Sequence, residues 1–109
     1  MRMLAIYRNK DFSGILKEEN RESYIFRYDD AYYFDTTKPA ISLTLPKSQQ
    51  EYHSPFLFPF FFNMLSEGVN RQLQSRLLKI DEQDHFGLLS ATAQYDTIGA
   101  VTVKVIDLL

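Results

Sequence analysis

The chain has 109 residues, 45% of them hydrophobic and 15% aromatic, and carries a net charge of −2. Its length suits one domain, and its apolar content excludes a disordered chain, because burial can offset a conformational entropy on the order of 100–200 kcal/mol. The basic residues, among them Arg2, Arg8, Lys10, Arg21, Lys38, Arg71 and Lys104, form no run, a poor match to phosphate backbones or anionic lipid.

Met3 to Arg8 reads as a strand, Asn9-Lys10-Asp11 as a tight turn, and Phe12 to Leu16 as the returning strand of a hairpin. Tyr24, Phe26 and Tyr28 then alternate with polar positions, the period of a half-buried strand. Asp29 to Thr37 is an acidic, Tyr-rich connection with room for a short helical turn. Its carboxylates suit either a solvated loop with one or two buried rings or a site for a cation or basic partner. Ile41, Leu43 and Leu45 alternate with Ser42 and Thr44 and predict another strand, closed by Pro46, which has no N–H for a ladder. Lys47 to His53 reads as a polar loop. Ser54-Pro55 is a helix-start signal, but Pro59 would cost a hydrogen bond inside a helix, so the regular helix is expected to begin near Pro59.

Ser66-Glu67-Gly68 interrupts the helical pattern. Beyond it, Val69, Leu73, Leu77 and Ile80 recur at helical spacing, with Asn70, Arg71, Gln74 and Ser75 turned elsewhere, which predicts an amphipathic helix. Asp81 to Asp84 offers caps for a further short helix carrying Phe86, Leu88 and Leu89. Tyr95-Asp96-Thr97 predicts a turn, and Val101, Val103 and Val105, alternating with Thr102 and Lys104, a last strand. Strands, then helices, then a strand predict a single α+β domain over residues 1–109, in which about three short helices cover one side of a mostly antiparallel sheet.

Catalytic chemistry finds little to work with. The glycines Gly14, Gly68, Gly87 and Gly99 lie far apart, which excludes a phosphate-cradling loop. With no cysteine, zinc would need both histidines, His53 and His85, and neither stands at a metal-ligand spacing. Asp84-His85-Phe86-Gly87 has the kinase metal-binding Asp-Phe-Gly spoiled by an inserted histidine, so a helix cap and a core Phe are expected there. No catalytic, cofactor or metal site is expected. The absence of cysteine, of a signal peptide and of any run near the ~18 apolar residues of a membrane span predicts a soluble cytoplasmic domain. Phe56, Phe58, Phe60, Phe61 and Phe62 are different in kind. Placed on a helix they point in all directions, so either the sheet and the second helix bury every ring or some face a partner.

Several motifs in order carry a family resemblance: Ile41-Ser42-Leu43-Thr44-Leu45-Pro46, Phe58-Pro59-Phe60-Phe61-Phe62-Asn63-Met64-Leu65-Ser66-Glu67-Gly68, Asp84-His85-Phe86-Gly87-Leu88-Leu89 and Asp96-Thr97-Ile98-Gly99-Ala100-Val101. Through most of its length the chain resembles the N-terminal domain of HipA-type Ser/Thr kinases. In that family these segments precede a kinase core holding the nucleotide-binding and catalytic residues, and no such core follows them in this sequence. The chain therefore looks like that subdomain encoded separately, similar to HipS, the small component of three-part HipB, HipS and HipT toxin–antitoxin systems. The resemblance departs at Phe62 and Ser66, where the kinases typically show Asp and Pro, so no carboxylate contact carries over to Phe62.

The resemblance implies an antitoxin-like interaction protein that binds and restrains a separate HipT/HipA-type kinase. A subunit required to complete an active kinase is the alternative, and an independent small enzyme is a third reading with only scattered carboxylates behind it. A HipB-like helix-turn-helix repressor in the same assembly would make any DNA contact, with no direct nucleic-acid binding by this chain. The expected docking surface spans the loop Tyr52-His53-Ser54, the aromatic face Phe56 and Phe62, and the polar exit Asn63, Glu67 and Arg71; for the polar residues, ordinary helix capping is the competing explanation.

Overall fold

The computed structural model describes residues 1–65, 68–92 and 100–106. Strands β1 (Arg2–Arg8), β2 (Asp11–Asn20) and β3 (Ser23–Tyr28) come first, followed by helix α1 (Asp30–Phe34), strand β4 (Glu51–Ser54), helices α2 (Pro59–Phe62), α3 (Gly68–Leu78) and α4 (His85–Thr92), and strand β5 (Val101–Val105). The strands form one sheet in the order β4-β3-β2-β1-β5. Every neighbouring pair is antiparallel, so the α+β layout expected from the pattern holds. Four helices occur among the described residues, α1 being the short helical turn of the Tyr-rich connection.

The β1–β2 hairpin turns on Asn9 and Lys10, both with positive φ (50° and 71°), the backbone that a two-residue turn needs to match strand twist. Registered pairs then build one apolar face: Leu4 opposite Leu16, Leu16 opposite Phe26, and Ile6 opposite Val103. Gly14 lies opposite Tyr28 because β2 and β3 approach closely there; a Cβ on Gly14 would stand 2.3 Å from the Arg27 carbonyl oxygen. Phe61 of α2 and Phe86, Leu88 and Leu89 of α4 close over this face, and Phe26 meets Tyr28 edge-on with centroids 4.9 Å apart.

The second strand outruns its sequence expectation, which stopped at Leu16 before the charged Lys17-Glu18-Glu19. Glu18 continues on the buried face because β1 and β3 supply its partners. Arg2 donates to its Oε1 through Nε at 2.8 Å and Nη2 at 2.5 Å, and the Tyr24 hydroxyl donates to its Oε2 at 3.1 Å. The same guanidinium reaches Asp84, at 2.7 and 3.0 Å, and lies over the Phe86 ring, so one side chain joins the sheet to the start of α4. Hydrogen bonding from Arg2, then from the Gly87 N–H, holds the Asp84 carboxyl below its ordinary range, while the hydrogen bonds to Asp84 and then Glu18 raise the Arg2 pKa. Asp84 caps α4 as expected, accepting from Gly87 N at 3.1 Å.

Three expectations are corrected. Residues Ile41 to Leu45 form turns, not a strand. The Ser42 hydroxyl accepts from Thr44 N at 3.2 Å and the Ser42 carbonyl from Leu45 N at 3.1 Å, which folds the segment so that Ile41 and Leu45 are buried while Leu43 is 100% exposed. The Tyr28 hydroxyl anchors this turn, accepting from Ile41 N at 3.1 Å and donating to the Leu45 carbonyl. The supposed loop through His53 ends in a strand, β4, a polar edge whose Tyr52 pairs with Phe26 and whose His53 pairs with Ile25. The helix expected from Val69 onward is present, but it faces the other way. Val69, Leu73 and Leu77 point to solvent, while Arg71, Gln74 and Ser75 are half-buried; Ile80, past its end, does pack on the core. The predicted turn Tyr95-Asp96-Thr97 lies outside the described residues.

Candidate docking surface

Ser54 ends β4, and its hydroxyl accepts from Phe56 N at 3.1 Å, turning the chain toward α2. The helix itself starts where its proline permits: Phe58 is the cap residue, Pro59 fills the first turn, and the Phe58 carbonyl accepts from both Phe61 N and Phe62 N at 2.9 Å. Asn63 closes it, its N–H reaching the Pro59 carbonyl at 2.9 Å.

This geometry sorts the phenylalanines. Phe58 and Phe61 are buried, Phe60 and Phe62 are half-buried against the core, and Phe56 is left 75% exposed. Of these five rings, the domain therefore buries or half-buries four and leaves Phe56 outside. Phe56, Leu57, Pro59, Phe62, Asn63 and His85 line a shallow groove of about 310 Å³. His85 meets the Phe62 ring edge-on at 4.9 Å, and the Arg71 guanidinium, outside the groove lining, sits 5.0 Å from the centre of that ring. Burial lowers the His85 pKa and the nearby Arg71 charge lowers it further, which favours the neutral imidazole.

Of the residues expected to dock, Phe56, Phe62 and Asn63 line this groove, Arg71 packs on Phe62, and Ser54 shapes the entry. Tyr52 and His53 do not join them. They are strand residues, and consecutive side chains of a strand leave opposite faces. Tyr52 packs inward, its hydroxyl donating to the Pro46 carbonyl at 2.5 Å, whereas His53 is exposed beside Glu51, Nε2 to Oε2 2.7 Å. Glu67 lies outside the described residues. Leu57, Pro59 and His85 were missed as members of the groove; His85 follows the Asp84 cap, but no spacing in the sequence joins it to Phe62, 23 positions earlier.

A larger cleft of about 500 Å³ runs between Arg8, Pro39 to Leu43, Phe60 and Val101. Among the described residues that line it, Arg8 alone is ionisable. Among the described residues no group of three or more His, Asp or Glu side chains could hold a metal ion, and no helix is long and apolar enough to cross a membrane.

The sequence pattern of the HipA N-terminal domain matches residues 4–104, nearly the whole chain. The chain belongs to the HipA N-terminal domain family. An uncharacterized protein of Haemophilus influenzae is 31% identical over 94 residues, covering 86% of this chain and 83% of that protein. The solved N-terminal domain of HipA toxin superposes with a TM-score of 0.72 at 24% identity, over 98% of this chain and 94% of that one. That likeness shows a shared fold, a five-stranded antiparallel sheet with helices packed on it.

Proposed function

We propose that this chain is a non-catalytic, antitoxin-like protein that binds and restrains a separately encoded HipT/HipA-type Ser/Thr kinase in the cytoplasm. The observation that carries this reading is the groove on a HipA N-terminal domain in which Phe56 stands exposed beside Phe62 and Asn63. An exposed ring at the mouth of an apolar groove, rimmed by polar groups, has the composition of a protein-binding anchor. Phosphoryl transfer depends on correctly positioned parts, so covering the kinase cleft or holding an inactive arrangement is enough to restrain it. DNA contact passes through a HipB-like repressor in the same assembly, in keeping with the acidic, dispersed charge of this chain.

Co-expression with a separately encoded HipA-type kinase tests the reading. Wild-type protein is expected to co-purify with the kinase and relieve its toxicity, while Phe56→Asp and Phe62→Asp lose both effects. Toxicity that arises only when the two are together would instead identify a subunit that completes the kinase. Unchanged binding by both Asp variants would remove the groove from the interface.

A further inference from the structure

The groove beside α2 contains a side chain that titrates near neutral pH. His85, the first residue of α4, is half-buried and lines the groove with Phe56, Leu57, Pro59, Phe62 and Asn63. Its imidazole meets the Phe62 ring edge-on at 4.9 Å, and among the described residues no hydrogen-bond partner holds either ring nitrogen. The ring therefore gains or loses a proton without breaking a bond inside the domain. The surrounding charges oppose a further cation there. Arg71 of α3 stands 5.0 Å from the centre of the same Phe62 ring, and Arg21, in the turn between β2 and β3, adds its charge. Asp84, one residue earlier, acts the other way, but its oxygens already accept from Arg2 at 2.7 and 3.0 Å and from Gly87 N at 3.1 Å. Burial, then the Arg71 charge, lower the His85 pKa, and Asp84 offsets them only in part.

A partner that covers this groove takes the imidazole further out of water, where the charged form costs more than the neutral one. The bound state then holds fewer protons than the free state, and by linkage the affinity falls as pH drops through the range in which His85 titrates. We propose that His85 makes docking at this groove pH-dependent, the neutral ring admitting the partner and the imidazolium opposing it. This rests on the reading that the partner is the HipA-type kinase and that it covers the Phe56 groove. The other histidine, His53, is exposed beside Glu51 on β4 and outside the groove, so its titration is a separate event.

The test measures affinity for the purified kinase by calorimetry at about pH 7.5 and about pH 5.5, for wild type, His85→Gln and His53→Gln. Circular dichroism at both pH values checks that each protein is folded. Wild-type Kd is expected to rise several-fold on acidification and at most about tenfold, since the ordinary imidazole value of 6.5 is a ceiling for His85. Titration of the kinase's own groups is common to all three proteins, so the ratio of the two Kd values is the quantity compared. In His85→Gln, which takes up no proton, that ratio should shrink by the same several-fold factor, whatever its affinity near neutral pH. His53→Gln should keep the wild-type ratio. An equal ratio in wild type and His85→Gln, with binding intact, would overturn the inference and leave the kinase reading standing. A ratio that shrinks in His53→Gln instead would overturn it in favour of the β4 edge. Absence of wild-type binding at both pH values would end the functional reading, and this inference with it.

Discussion

Replacing Tyr28 with phenylalanine removes one oxygen atom that serves two backbone groups at once. The phenol accepts from Ile41 N and donates to the Leu45 carbonyl, and both residues are buried, so Tyr28→Phe leaves a donor and an acceptor without partners. Each such orphan costs about 1–3 kcal/mol, and because turn residues 42–44 sit at the surface, water recovers part of the loss. A net destabilisation of about 2–3 kcal/mol is expected, which lowers Tm by roughly 10 °C or more in a domain of this size. Urea unfolding with unchanged m measures the energy, and amide exchange at Ile41 locates it. A loss below about 0.5 kcal/mol with the Ile41 amide still protected would refute the role given to this hydroxyl. Alkaline titration supplies an independent check. Burial pushes the Tyr28 phenol from 10.0 up to about 12, so the folded state prefers the protonated ring. Its contribution is full below pH 10 and is lost as pH rises toward 12, about 3 kcal/mol in all, and Tyr28→Phe should abolish that alkaline slope.

Arg2→Leu strips Glu18 and Asp84 of their guanidinium; since the Arg2 side chain is 40% exposed, solvent screening limits the expected cost to about 1–2 kcal/mol. A double-mutant cycle with Asp84→Asn should show coupling, and independence of the two changes would remove the bridge from the stability argument. Gly14→Ala drives a methyl into the Arg27 carbonyl and should destabilise by about 2 kcal/mol or more, with exchange protection falling first at the β2–β3 pairing. Two acid-side losses should separate on titration. His85 has a lowered pKa, so stability declines as pH drops below 6.5, an effect removed in His85→Gln. Asp84 contributes fully above pH 3.8 and loses its contribution as pH falls through its still lower folded value; in Arg2→Leu that second step should shrink.

Much of the scaffold was legible because its signals are local. Asn9-Lys10 names a turn without any tertiary help, and the alternation of Tyr24, Phe26 and Tyr28 marks a strand whatever lies beside it. The Asp84 cap and the Phe58-Pro59 start of α2 are likewise chemistry between near neighbours. The errors arose where a pattern has two physical solutions. Ile41, Leu43 and Leu45 satisfy a strand's period, yet a turn also brings Ile41 and Leu45 to one side, and the Tyr28 hydroxyl, from another strand, selects it. Glu51 to Ser54 lacks an apolar period because it is an edge strand, held by main-chain pairing with β3.

The docking surface divides along the same line. Residue types alone established a surplus of rings and the lack of cysteine, since those depend on what is present in the chain. Which ring stays outside, that His85 meets Phe62, and that α3 turns its leucines to solvent were decided by packing. An amphipathic helix has two faces that the sequence can distinguish, but whether the apolar one finds the domain's own core or someone else's depends on how much of that core Phe61, Phe86 and Leu89 have already filled.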